Sequence, residues 1–408
     1  MNPSAKFELP DLSRVKLVPY FQPILKLDDQ RICGYESLGR MMDSAGNISS
    51  LGPVFHNLDQ NNPEHRELSL YMDSFLQTEA LREIASREQL QLFMNIMPHT
   101  LSLPEKGKPR ATRILERIGE SGIDPARIVL EITEDEFSGE LSQLVTIVDE
   151  FKAAGVLIAV DDAGAGKSDL NRIALIRPDI IKVDLQLLRE SIRDVGFRQI
   201  LQMVSALAHR LGSSLLFEGI EREEELFMAL RMGARYLQGF LFSEARKDPQ
   251  DAGSFTDFLK KVIREHSAFA VAEFVQGFQI KDDLVHALRD AVVGLNLKET
   301  SISDSLQENL GRFPHHMSKV AIFDEDGNQI SAEFRIENGG WKKDSSGISH
   351  NASWRPHFVQ AMAQRTYSNL DWHMTEPRYD VKSEFPRIVV CLVLNASRVL
   401  VAEVDWLG

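Results

Sequence analysis

The chain has 408 residues, 43% of them hydrophobic, with 46 basic and 60 acidic side chains and a formal net charge of −14. That length predicts two domains, each able to bury a core. The acidic balance argues against a general binder of nucleic acid or anionic membrane, but not against a small anionic ligand met by local charges. The opening MNPSAKFELPDL lacks the apolar stretch of a signal peptide, and no run approaches the ~20 apolar residues of a membrane span. A cytoplasmic location without membrane insertion is therefore expected. Cys33 and Cys391 lie in separate apolar stretches and form no CxxC pair, which predicts two buried thiols rather than a zinc knuckle or a redox dithiol.

Residues 18–242 alternate strand-like and helix-like segments. The first two strands, VPYFQPI (Val18–Ile24) and CGYESLG (Cys33–Gly39), are joined by only KLDDQRI. That connection is too short for a helical crossover, so an antiparallel hairpin is expected. LFMNI (Leu92–Ile96), IVLEIT (Ile128–Thr133), LIAVDD (Leu157–Asp162), IIKVD (Ile180–Asp184), LLFEGI (Leu215–Ile220) and YLQGFLF (Tyr236–Phe242) follow, short and rich in β-branched or aromatic residues. Stretches of helical period separate most of them, and Gly155 and Gly212 close two of these where a left-handed residue is wanted. Eight strands with intervening helices predict an α/β fold, a modified (β/α)8 TIM-like barrel with an irregular first hairpin.

After a boundary at ARKDPQDAGS, Phe255–Val293 reads as one or two connecting helices without a sustained heptad. Hairpins are expected at Asp326-Gly327 and Asn338-Gly339. RIVVCLVLN and RVLVAEVDWL are strongly apolar strands, and NASWRPHFVQAM is a loop running into a short helix. The expected organisation is a barrel over residues 1–245, connecting helices over 246–310 and a small α+β domain over 311–408.

Five runs end in or carry an acid or amide: YESLGR (Tyr35–Arg40), FMNI (Phe93–Ile96), LEITE (Leu130–Glu134), AVDD (Ala159–Asp162) and FEGIE (Phe217–Glu221). Carboxylates gathered at one end of a sheet repel one another, and a divalent cation is the usual remedy. In such barrels the C-terminal strand ends carry the chemistry. Asp161, Asp162, Asp184 and Glu218 lie late in their runs, as Asn95 and Glu131 do, so one polar rim is expected. Carboxylates and an amide are hard oxygen ligands suited to Mg²⁺ or Mn²⁺. Taken singly, each residue has a duller reading: Lys182 as a snorkelling side chain, Asn95 as a turn residue, Glu223, Glu224 and Glu225 as a solvated helical face.

In order and spacing, Glu36-x-x-x-Arg40, Asn95, Glu131-x-x-Glu134, Asp161-Asp162, Lys182, Glu218-x-x-Glu221 and Gln238 resemble the EAL family of cyclic di-GMP phosphodiesterases, whose signature appears here as Glu36-Ser37-Leu38. The resemblance covers about residues 15–245. The second half resembles the PAS-like domain of YkuI-type members, most closely at SWRPHF (Ser353–Phe358). The resemblance implies hydrolysis of cyclic di-GMP to linear pGpG with two Mg²⁺ or Mn²⁺ ions, and a homodimer. It implies that Glu36, Asn95, Glu131 and Asp161 hold one ion, and that Asp161 and Asp162 hold a second. Lys182 and Glu218 would be catalytic. Gln22, Leu38, Arg40 and Gln238 would bind substrate, while Glu134 and Glu221 would support the adjoining loops. This chain departs from the family where Ala163 and Lys167 replace aromatics in the loop after the aspartate pair. A receptor that binds cyclic di-GMP in the same pocket without appreciable turnover is thus a second reading, and a vestigial scaffold a third.

Overall fold

The structure, a computed structural model, describes residues 14–59, 61–101, 103–132, 141–163, 170–368, 370–378 and 385–406, the side chains at 98, 99, 162, 163 and 170 apart. The chain forms two compact units, residues 1–267 and 268–408.

Eight strands of the first unit close into a barrel: β1 (Lys16–Lys26), β2 (Arg31–Met42), β3 (Gln91–Ile96), β4 (Ile128–Ile132), β5 (Leu157–Ala163), β6 (Ile180–Val183), β7 (Ser214–Phe217) and β8 (Ala234–Leu237). β1 runs antiparallel to both its neighbours, β2 and β8. Every other neighbouring pair in the closed ring is parallel. The short connection after β1 is the reason: without room for a crossover, β2 must fold straight back. Several strands are shorter than the apolar runs suggest. β7 stops at Phe217 and β8 at Leu237, and Glu218–Ile220 and Gln238–Phe242 continue as loop and turn.

Around the strands lie helices that include α1 (Pro63–Ala85), α2 (Arg110–Ser121), α3 (Leu185–Arg193), α4 (Val195–Leu211) and α5 (Glu223–Arg231). α1 starts at Asn62, whose side chain accepts from the Glu64 N–H, with Pro63 in the first turn. α4 ends at Gly212 in the left-handed conformation. Side-chain alternation along the strands sorts the core into two layers. Phe93 and Val129 point to the barrel interior with Ile24, Ala159, Ile180, Leu216 and Tyr236. Leu92, Met94 and Ile96 face outward and join Ile114 and Ile118 of α2.

A single helix, α6 (Thr256–Val292), contributes Leu259 and Val262 to the first unit's core, and Leu284, Val285, Leu288 and Ala291 to the second's. The second unit is built on a six-stranded sheet of β9 (Met317–Asp324), β10 (Glu333–Glu337), β11 (Gly340–Asp344), β12 (Trp372–Met374), β13 (Arg387–Asn395) and β14 (Arg398–Asp405), in the order β11-β10-β9-β14-β13-β12 and antiparallel throughout. β10 and β11 turn at Asn338 and Gly339, both with positive φ, the two-residue turn that matches strand twist. Val320 and Ile322 of β9 face a core shared with the end of α6. Ala321 and Phe323 face the opposite layer, where α7 (Pro356–Ser368) packs through Phe358 and Ala361. Cys33 and Cys391 are free and buried, and burial pushes each thiol up to about 12.

Candidate active site

The site follows from the same alternation. A residue two positions past an interior apolar residue points the same way, one layer nearer the rim. Phe93 leads to Asn95, Val129 to Glu131, Ala159 to Asp161, Ile180 to Lys182, Leu216 to Glu218 and Tyr236 to Gln238. On the antiparallel β1 the count runs backwards, from Ile24 to Gln22. Register completes the ring: Gln22 pairs with Glu36 across β1 and β2, and Asn95 with Glu131 across β3 and β4.

Lys182 is the hub. Its Nζ lies 3.0 Å from Glu218, 3.1 Å from Glu131, 3.2 Å from Asp161 and 3.9 Å from Glu36. Asn95 donates to Glu36 Oε1 at 2.8 Å, and Gln238 Nε2 donates to Glu36 Oε2 at 2.6 Å and to Gln22 at 3.1 Å. Glu131 and Lys182 are almost completely buried, and Glu36 nearly so. Four carboxylates thus face one ammonium, two of them buried and two, Asp161 and Glu218, partly open to solvent. Burial, reinforced by Glu36, holds the Glu131 carboxyl well above the usual range. Burial pushes Glu218 up to about 8, with Asp161 and Glu36 adding to it against the pull of Lys182. For Lys182, burial opposes the charge, but the carboxylates outweigh it and hold the ammonium protonated.

The backbone fixes the rim. After Gln238, a Cβ at Gly239 would lie 2.1 Å from the Ile220 carbonyl oxygen. Only glycine allows that approach, and the Ile220 N–H donates to the Gln238 carbonyl at 3.0 Å. The segments carrying Glu218 and Gln238 are therefore tied together.

Beside the cluster lies a cavity of about 340 Å³, whose lining includes Leu38, Arg40, Met94, Asn95 and Met97. The Arg40 guanidinium donates to the Gly39 carbonyl at 3.0 Å and stands over the Tyr20 ring. Burial lowers its pKa.

Not every acid expected at the rim joins it. Asp184 instead caps α3, accepting from the Gln186 N–H at 2.7 Å. Glu221 pairs with Arg189 at 2.6 Å outside the cluster. Glu225 departs most from expectation. It is fully buried rather than on a solvated face, accepting from Arg189, Arg222 and the backbone N–H groups of Glu221 and Arg222. Nothing in the run EREEE marks which glutamate turns inward. Glu134 and residues 164–169 lie outside the described residues, as does the side chain of Asp162.

Among the described residues, no three His, Cys, Asp or Glu side chains stand at metal-ligand spacing; the acids converge on Lys182 instead. The donor set still fits a hard divalent cation. Acids outnumber bases four to one, and the buried Glu131 Oε1 and Gln238 Oε1 have no hydrogen-bond partner, so oxygen donors remain uncommitted.

A barrel whose rim gathers buried carboxylates around one lysine, beside an arginine-lined cavity, defines an α/β-barrel protein with a polar site at the strand ends. The EAL domain family matches residues 9–245, and the chain belongs to that family. It is 31% identical over 346 residues to the EAL-domain containing protein YkuI of Bacillus subtilis (strain 168), covering 84% of this chain and 83% of that one. The crystal structure of YkuI in complex with substrate c-di-GMP and calcium superposes with a TM-score of 0.85, at 27% identity over 98% of each chain. The cyclic di-GMP phosphodiesterase RocR of Pseudomonas aeruginosa is 28% identical over 244 residues, 59% of either chain. The family thus includes cyclic di-GMP phosphodiesterases. Among the described residues, no helix is long and apolar enough to cross a membrane.

Proposed function

We propose that this chain hydrolyses one phosphodiester of cyclic di-GMP to give linear pGpG, using Mg²⁺ or Mn²⁺. The observation that carries the reading is the surplus of buried carboxylate around Lys182, with Glu131 Oε1 uncommitted. Glu36, Asn95, Glu131 and Asp161 would hold one ion, and Asp161 with Asp162 a second. Two such ions would polarise the phosphate and lower the pKa of a water between them.

The chain's own residues then have distinct tasks. Arg40, which forms no ion pair with a described carboxylate, presents a planar fork to the phosphate oxygens. Leu38 offers apolar contact in the same cavity. Gln22 and Gln238 orient Glu36 and the substrate edge beside it. Glu218, in contact with Lys182, takes the proton from the attacking water. Lys182 keeps its proton and offsets negative charge developing on the phosphate. Glu221 supports the segment after Glu218, and Glu134 the loop after the aspartate pair. The protein acts in the cytoplasm as a homodimer, and its C-terminal domain, read as a PAS-like module, regulates the barrel.

Incubation of the full chain with cyclic di-GMP and Mn²⁺, followed by chromatography, tests this. Formation of pGpG that stops on chelation is the expected result. The loop substitutions Ala163 and Lys167 favour a receptor as the second reading. Tight cyclic di-GMP binding with no pGpG would establish the receptor and overturn the enzyme.

A further inference from the structure

The second unit holds a cavity of about 260 Å³ that the barrel chemistry does not use. One wall is apolar: Ala321, Phe323, Val389 and Val401 of the central strands. The start of α7 forms another, with Arg355 just before the helix and His357 in its first turn.

The charges lining the cavity do not all cancel locally. Lys319 lies 2.9 Å from Glu333, and Arg335 lies 2.6 Å from Asp344. Glu403 is the surplus acid, sharing Lys319 at the looser distance of 3.5 Å. Arg355 is the surplus base. It is solvent-exposed, stands over the face of Trp354, 5.6 Å from the ring centre, and forms no ion pair with a described carboxylate. His357 is 7% exposed and lines the cavity, where solvent rather than a hydrogen-bond partner among the described residues meets its imidazole. Burial, with Arg355 and Arg378 nearby, lowers its pKa to about 4, so it is a neutral polar group at physiological pH. The N-terminal end of the 13-residue α7 adds positive potential beside it.

We propose that this cavity binds an apolar α-amino acid as its zwitterion, with the carboxylate on Arg355 and His357, the ammonium toward Glu403, and the side chain against the Phe323–Val389–Val401 wall. Three cationic and three anionic side chains line the cavity, so a ligand without net charge preserves the balance. A simple carboxylate or a simple amine would leave one charge uncompensated in a partly dry site. The volume corresponds to roughly nine water-sized units at about 30 Å³ each, the heavy-atom count of a leucine-sized molecule.

Calorimetric titration of the full chain with L-leucine tests this, with isovalerate as the analogue lacking the ammonium and isoamylamine as the one lacking the carboxylate. Leucine should bind saturably, and each analogue at least tenfold more weakly. Arg355→Ala should weaken leucine at least tenfold and leave isoamylamine unchanged. Glu403→Gln should weaken leucine and leave isovalerate unchanged. Absence of saturable binding by leucine, valine and phenylalanine overturns the proposal. So does isovalerate binding as tightly as leucine, or leucine binding that neither substitution changes.

Discussion

Two buried ionic clusters stand in the same barrel unit, and they are built on opposite principles. Around Lys182, four carboxylates face one ammonium. Between α1 and α2, two acids face two bases. Arg110 is completely buried against Asp73 and lies 3.1 Å from Glu105, while Arg117 lies 2.6 Å from Glu105 and donates to Gln77 at 2.9 Å. The second cluster is balanced in charge and linked further by Gln77, which donates to Asp73 at 3.1 Å, although Arg110 Nε and Arg117 Nε lack a hydrogen-bond partner. Burial alone therefore does not mark a functional site. The distinction is charge balance: one network pairs two acids with two bases between the helices, whereas the other carries an excess of acid over base, which raises the pKa of Glu131 and Glu218.

The sharpest way to break this contrast is at the rim. Glu218→Gln keeps shape and removes the base, so turnover should fall by about 10²–10⁴. Cyclic di-GMP affinity by calorimetry should change by less than about tenfold, or ~1.4 kcal/mol. Equal loss of both would make Glu218 a structural residue and dissolve the contrast. The mirror experiment is Arg110→Met. Removing one partner of a buried pair costs about 3–5 kcal/mol, to be read from denaturant midpoints; because Asp73 and Gln77 also line the cavity beside Arg40, Mn²⁺ uptake rather than turnover is the readout expected not to change. A fall in Mn²⁺ uptake without loss of stability would assign the balanced network a role in the site.

A third substitution sharpens the comparison with a single buried acid. Glu225 is held at about 2, since its contacts with Arg189, Arg222 and two backbone N–H groups outweigh the effect of burial. Its folded pKa lies below the ordinary 4.5. Its contribution is therefore present above about pH 4.5 and is lost as pH falls toward 2. Glu225→Gln should cost about 1–3 kcal/mol at pH 7, and the gap between variant and wild type should narrow on acidification below pH 4.5. A gap independent of pH would show that packing, not charge, is what Glu225 supplies.

Much of the rim was legible because strand alternation is a local rule. Asn95, Glu131, Asp161, Lys182, Glu218 and Gln238 each sit two residues past an apolar interior position, and the runs display that spacing directly. Asp184 misled because an aspartate at a strand end is also the residue that best starts a helix, and here the cap won. Glu225 was hidden because its partners, Arg189 and Arg222, come from different turns of chain, and a run of like residues does not say which faces inward. The Arg110–Asp73 network was invisible for the same reason. Its members are 37 residues apart and no motif links them, so only the packing of α1 on α2 brings them together. Arg355 and His357 could be seen in SWRPHF, but the acids that complement them lie on strands remote in sequence.

The central claim is that the carboxylate surplus around Lys182 is a divalent-cation site. Titration of Mn²⁺ into the metal-free full chain, without nucleotide, tests it most directly. Saturable binding in the wild type, weakened at least tenfold in Glu131→Gln and unaffected in Arg110→Met, is the predicted result. Wild-type protein that takes up no Mn²⁺, or Glu131→Gln that binds it as tightly as the wild type does, would contradict the account.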